Sequence, residues 1–148
     1  MNELQDLYRE VILDHNRDPR NFGELADANR VVEGVNPLCG DKMTLYVKLH
    51  GDTVEDVSFK GTGCAISVAS SSMMTERVKG SSIGATLALF EQVHDMLTGS
   101  GGEPPADLDK LAALAGVREF PSRVKCASLA WHALKAALTG PNGKVSTE

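Results

Sequence analysis

The chain has 148 residues, and its 20 Asp and Glu outweigh 15 Lys and Arg to give a formal net charge of -5. That length matches one domain with a core that needs no disulfide staples, and the acidic balance excludes broad attraction to nucleic acid or an anionic membrane surface. No apolar run is long enough to span a bilayer, and the charged stretch Met1 to Glu10 is unlike an export signal, so a cytoplasmic protein with three reduced cysteines is expected.

Leu4, Leu7, Tyr8, Val11 and Ile12 recur at three- and four-residue steps and predict a helix from about Asn2 to Asp14. Arg17 to Gly23, with Pro19 and Asn21, reads as an irregular connection. Ala28 to Val35 is a short β-branched stretch that stops at Asn36-Pro37, as a strand entering a turn does. From Lys42 to His50, Met43, Leu45, Val47 and Leu49 alternate with Thr44, Tyr46, Lys48 and His50, the pattern of a half-buried strand. Gly51-Asp52 turns the chain, and Val54, Val57 and Phe59 mark the return. The simplest assembly is a three-stranded antiparallel meander.

The period then changes. Ala65, Ile66, Val68, Ala69, Met73 and Met74 suit a helix to about Lys79, ended by Gly80. Ser81-Ser82 cap a second helix with Leu87, Phe90, Val93 and Leu97 on its inner face and Gly99 as its stop. Ser100 to Pro105 reads as a loop. Leu108, Leu111, Leu114 and Ala115 mark a short third helix, and Pro121-Ser122 opens a fourth with Leu129, Ala130, Ala133, Leu134, Ala137 and Leu138 as its core stripe. Gly140-Pro141 ends it, leaving a polar tail expected to fray. The fold class is therefore α+β, in a single domain over residues 1–148 with a compact part from about residue 4 to 138.

Every cysteine lies in one of three patches: Asn36-Pro-Leu-Cys39-Gly-Asp41, Gly61-Thr-Gly-Cys64-Ala-Ile-Ser67 and Lys125-Cys126-Ala127. Three thiols and a carboxylate make a four-ligand set that suits tetrahedral zinc, and the same thiolates suit an iron-sulfur cluster. Cys39 and Asp41 flank Gly40, so a bent backbone can aim both at one ion. Cys64 lies at a helix start, where unpaired amides favour a thiolate, and Cys126 is expected in the first turn or so of the last helix with the same advantage. A lone cysteine is often only a small buried hydrophobe, and a lone Asp41 would be a turn residue or cap. The joint pattern favours a site. His50, His94 and His132 read as structural or exposed, His15 as a cap or surface residue, and Met73 and Met74 as core filler.

Leu7-Tyr-Arg-Glu-Val-Ile-Leu-Asp-His15, Asp18-Pro-Arg-Asn21, Met73-Met74 and the Cys39 and Cys64 patches resemble the IscU and NifU amino-terminal family of iron-sulfur assembly proteins. The likeness runs from Leu4 to about Leu138. Lys125 stands where scaffold members carry a histidine before the third cysteine. Phe120-Pro-Ser-Arg-Val-Lys125 also replaces their chaperone-recognition motif, and residues from about Gly99 to Glu119 resemble the extra segment of the SufU-like branch.

The resemblance implies a three-stranded antiparallel sheet flanked by helices, and zinc on Cys39, Asp41, Cys64 and Cys126. It implies a sulfur carrier that accepts persulfide sulfur on Cys39 from a SufS-type cysteine desulfurase and serves a downstream iron-sulfur scaffold. In that mechanism a histidine of the desulfurase takes a zinc position and releases Cys39. Arg123 matches an arginine of this branch that helps dock the desulfurase or steadies the site; its plainer role is a solvated charge. Two alternatives stay open: a scaffold holding a labile iron-sulfur cluster on the same ligands, and a structural zinc-binding interaction domain.

Overall fold

The computed structural model describes residues 3–37, 40–98, 106–140 and 142–146. The chain opens with α1 (Glu3–Arg17), then β1 (Arg30–Asn36), β2 (Asp41–His50) and β3 (Thr53–Thr62). Three further helical elements follow: α2 (Ala65–Val78), α3 (Ile83–Thr98) and a 3-10 helical segment (Ala106–Glu119). The chain closes with α4 (Pro121–Thr139) and β4 (Asn142–Ser146). The expected meander is present: β1 pairs antiparallel with β2, and β2 antiparallel with β3. The loop expected from Ser100 to Pro105 lies outside the described residues.

The alternation on β2 sets the layers. Asp41, Met43, Leu45 and Val47 are all buried, while Lys42, Thr44, Tyr46 and Lys48 face outward or lie part-exposed. A strand's side chains alternate with period two. Asp41 therefore belongs to the core face, in phase with three apolar residues, and not to a solvated bend. On the outer face, Lys48 pairs with Asp27 at 2.8 Å and Glu55 at 3.0 Å, and Lys60 with Glu24 at 2.9 Å. Such exposed pairs contribute little to stability. The irregular stretch after α1 guards the β3 edge: Gly23 N–H donates to Phe59 O at 2.7 Å and Phe59 N–H to Asn21 O at 3.0 Å.

The sheet order is β3-β2-β1-β4. Where a polar composition suggests a frayed tail, residues from Asn142 to Ser146 instead run parallel to β1, from Val31↔Asn142 to Val35↔Ser146. Backbone pairing needs no apolar pattern, so the tail's composition carries no sign of it.

Helices α2 and α4 pack together over the sheet. Ile66, Ala69, Met73, Met74 and Val78 of α2 are buried, together with Ser67, Ser70, Ser71, Ser72 and Thr75. Buried hydroxyls need partners, and Ser70, Ser71, Ser72 and Thr75 have them: Ser70 Oγ donates to Ala127 O at 2.6 Å and accepts from Trp131 Nε1 at 3.1 Å, tying α2 to α4. A Cβ at Gly34 would lie 3.1 Å from Leu129 Cδ1, so the glycine lets α4 seat closely on β1.

His15 corrects its sequence reading as a cap or surface residue, because α1 runs on to Arg17 and places it on the same face as Val11 and Ile12. It is fully buried, with Nδ1 2.7 Å from Ser72 Oγ. Ser82 caps α3 as expected, its Oγ accepting from Ala85 N–H at 3.1 Å.

His132 of α4 faces α3, its ring 5.7 Å from that of His94 and 5.6 Å from Phe90. Burial lowers its pKa from the ordinary 6.5, with like charge from His94 and Lys135 adding to the effect. The native state thus favours the neutral ring, so this stability is full above pH 6.5 and is lost progressively as pH falls through the lowered native value. His132→Asn is expected to shrink the fall in Tm between about pH 7 and pH 5. Thermal melts at several pH values check this; an unchanged pH slope would show that His132 is not a contributor.

Candidate metal centre

The site forms at the end of the sheet where β1 turns into β2. The register sets Asn36, the last residue of β1, directly opposite Asp41, the first of β2. Cys39 belongs to the connection between them and lies outside the described residues. Asp41 is 1% exposed, and both of its carboxylate oxygens are engaged. Oδ1 accepts the Cys64 backbone N–H at 2.8 Å, and Oδ2 accepts from Asn36 Nδ2 at 3.1 Å.

Cys64 occupies the N-cap position of α2 with extended φ -71 and ψ 164, between β3 and the helix. Its N–H is one of the donors that a helix start leaves without an intrahelical partner; here it goes to Asp41. Gly63 is what allows the carboxylate this close, because a Cβ there would lie 2.6 Å from Asp41 Oδ1 and 3.1 Å from Cγ.

Cys126 is deeper in its helix than expected. It is the sixth residue of α4, beyond the first turn, and is 2% exposed. Its Sγ sits 3.6 Å from Ser122 O and 3.5 Å from Asn36 Nδ2. The expected helix-start field therefore acts at Cys64 and not at Cys126; the sulfur of Cys126 is instead met by a side-chain amide.

Asp41, Cys64 and Cys126 each offer one ligand atom, and these atoms all lie within 4.8 Å of one another. Two sulfurs and a carboxylate oxygen this close, one of them an acid almost wholly removed from water, suit a shared metal ion. Among the described residues no ion pair reaches Asp41, and its two donors are neutral N–H groups. A metal cation would supply the missing positive charge. The donor set thus fits zinc, and equally fits iron held through thiolates.

Arg123 lies on the exposed start of α4, its guanidinium 4.5 Å from the Phe120 ring centroid. It also hydrogen-bonds Tyr8, a residue that sequence patterning assigns only to the apolar face of α1. Burial pushes the Tyr8 hydroxyl above its ordinary range; Arg123 opposes this through its charge and hydrogen bond, and the Cys64 and Cys126 sulfurs reinforce it. Tyr8 thus lies within the electrostatic reach of both Arg123 and the two sulfurs. A groove of about 410 Å³ opens beside it, lined by Tyr8, Arg9, Ile12, Leu13, Phe120 and Arg123 among others. His132 points toward α3, as its six-residue spacing from Cys126 suggests, and His50 is exposed at the end of β2.

Sequence reasoning places Asn36 in the motif without a role, and misses Gly63 and Tyr8. The signal for Asn36 is the hairpin itself, since two residues flanking a short antiparallel turn face each other. Gly63 shows only its residue type, and the position of Tyr8 depends on how α1 docks.

The fold and the convergence of an acid with two cysteines at the sheet end belong to a recognisable class. Residues 7–147 match the NifU-like N terminal domain, and the chain belongs to that family. It is 46% identical over 95% of its length, and 95% of the other protein, to the zinc-dependent sulfurtransferase SufU of Bacillus subtilis (strain 168). It is 44% identical to the iron-sulfur cluster assembly scaffold protein IscU of Streptococcus pyogenes serotype M1, covering 93% of this chain and 86% of that one. The crystal structure of a nitrogen-fixing NifU-like protein (N-terminal) from Brucella abortus superposes with a TM-score of 0.82 at 26% identity, over 93% of this chain and 95% of that one.

The Gly63 contact yields a stability test. Gly63→Ala must push Asp41 out of its place, and is expected to lower the unfolding free energy by about 1–3 kcal/mol, the usual range for overpacking. Urea denaturation measures it, and an unchanged midpoint would mean that the carboxylate is not confined against Gly63.

Proposed function

We propose that this single-domain chain is a zinc-dependent sulfur acceptor and carrier, which takes persulfide sulfur from a cysteine desulfurase for iron-sulfur cluster assembly in the cytoplasm. The observation that carries this reading is the convergence of Asp41, Cys64 and Cys126 within 4.8 Å, two residues of chain away from Cys39. The 46% identity to a zinc-dependent sulfurtransferase supports it.

The ligands in this reading are Cys39, Asp41, Cys64 and Cys126. Zinc, when bound, keeps its thiolates deprotonated yet restrained as nucleophiles. Asp41, Cys64 and Cys126 are seated on the first residue of a strand, a helix cap and a helix interior, and stay in place. Cys39, which lies between the two strands in sequence, is the member that leaves when the donor protein docks. Its thiolate attacks the outer sulfur of the donor's persulfide. A new S–S bond forms on Cys39, the donor's S–S bond breaks, and the electron pair departs with the donor's cysteine thiolate. Cys39 then carries the sulfur to a downstream iron-sulfur scaffold. Arg123, held over Phe120 and bonded to Tyr8, helps dock a SufS-type desulfurase.

Protein purified without added metal is expected to contain about one zinc per chain. With desulfurase and cysteine, intact-mass analysis should show an added sulfur that peptide mapping places on Cys39. Cys39→Ala should reduce sulfur uptake to background; normal uptake by that variant would end the assignment of Cys39. Arg123→Ala should raise the carrier concentration that half-saturates the desulfurase severalfold while leaving zinc content unchanged. An unaltered saturation curve would make Arg123 a plain surface charge.

A second reading is supported by the 44% identity to a cluster assembly scaffold protein. In it the same four residues hold a labile iron-sulfur cluster, with Asp41 as the weak oxygen donor that eases release. Anaerobic reconstitution would then give cluster absorbance and transfer to an apo-acceptor, and metal analysis separates the two readings.

A further inference from the structure

We propose that Asn36 is a positioning residue for the metal centre, holding Asp41 and Cys126 in ligating orientation through one amide group; the inference rests on the metal-binding reading above. Asn36 is wholly buried and is the last residue of β1, before Pro37. A residue preceding proline is confined to extended backbone, so the side chain has a fixed origin. Its Nδ2 lies 3.1 Å from Asp41 Oδ2 and 3.5 Å from Cys126 Sγ. An amide nitrogen carries two hydrogens, enough to serve both groups at once.

The other end of the amide shows what fixes its orientation. Asn36 Oδ1 is buried and has no hydrogen-bond partner among the described residues, a condition that folded proteins generally avoid. Turning the amide over would set that oxygen against the Asp41 carboxylate and the Cys126 sulfur, three acceptors facing one another. The amide therefore keeps its donors on the two ligands at the expense of its own oxygen. With Cys64 N–H on Oδ1 and Asn36 on Oδ2, the plane of the Asp41 carboxylate is fixed from both sides, and the free lone pairs of the acid are left to the space it shares with the two sulfurs. Partners that orient ligands in this way tune both affinity and electronic character. An N–H on a thiolate also draws electron density from sulfur, which suits Cys126 to a standing ligand and leaves Cys39 as the one that reacts.

The test compares wild type with Asn36→Leu, which keeps most of the volume and loses both donors, Asn36→Ala, and Asn36→Ser, which keeps one donor and covers the case in which the larger changes impair folding. Zinc affinity is measured by competition with a chromogenic chelator, and the cobalt-substituted proteins are examined by absorption spectroscopy. The Leu and Ala variants are expected to bind zinc about 10–100-fold more weakly. Their sulfur-to-cobalt charge-transfer band should move to lower energy, with the Ser variant between them and wild type. A Leu variant with wild-type affinity and an unshifted band would overturn the role of Asn36. Wild-type protein that takes up neither zinc nor cobalt would instead overturn the metal-binding reading, so the two failures are distinct.

Discussion

A carboxylate almost fully removed from water organises this molecule. Burying an ionised acid costs several kcal/mol unless hydrogen bonds and opposite charge compensate, and Asp41 is 1% exposed with neutral donors on both oxygens. The surrounding choices follow from it. Gly63 has no side chain because the acid occupies that space; Cys64 stands at the N-cap of α2 and gives its own N–H to the acid. Hydrogen bonds hold the acid but bring no opposite charge, so a cation would complete the arrangement.

The rest of the fold delivers two sulfurs to that acid with little freedom. Cys64 is placed by the end of β3 and the start of α2, and Cys126 by the position of α4 over β1. That position is set by Gly34, which admits Leu129, and by the Ser70 bridge, whose hydroxyl joins Ala127 and Trp131 of α4 to the middle of α2. Ala127 is the neighbour of Cys126, so the bond that locks the two helices also fixes the backbone beside the ligand. Core packing and site geometry are thus the same set of contacts.

Much of this was legible in the sequence, and the gaps have physical causes. The meander follows from period-two alternation, α2 and α4 from the change to helical period, and two of the three cysteine patches from their glycines. Asp41 was legible as a candidate, but its burial required carrying the alternation of Met43, Leu45 and Val47 two residues back. β4 left no pattern because its short polar sequence shows no apolar alternation, and ladder pairing requires none. His15 was misplaced because α1 runs three residues past the predicted Asp14, and one helical turn decides whether a side chain faces core or water. Cys126 was set too near its helix start, since Pro121 fixes the first residue and leaves the cysteine beyond the first turn. Tyr8 and Arg123 meet only in three dimensions.

The three candidate ligands also bear on why a fourth would stand apart. Asp41, Cys64 and Cys126 are each anchored by regular structure and by a bond that involves another member of the group or Asn36. A ligand on the short connection between β1 and β2 lacks a place in either strand's ladder, so its release need not disturb the pairing of Asn36 with Asp41. Three ligands that stay and one that departs is the arrangement a carrier needs, because a thiolate must become a nucleophile without the site collapsing. A wholly structural zinc site has the opposite requirement, four ligands held alike. Three donors built into strand and helices would leave a carrier of this kind only its departing thiolate to draw from elsewhere in the chain.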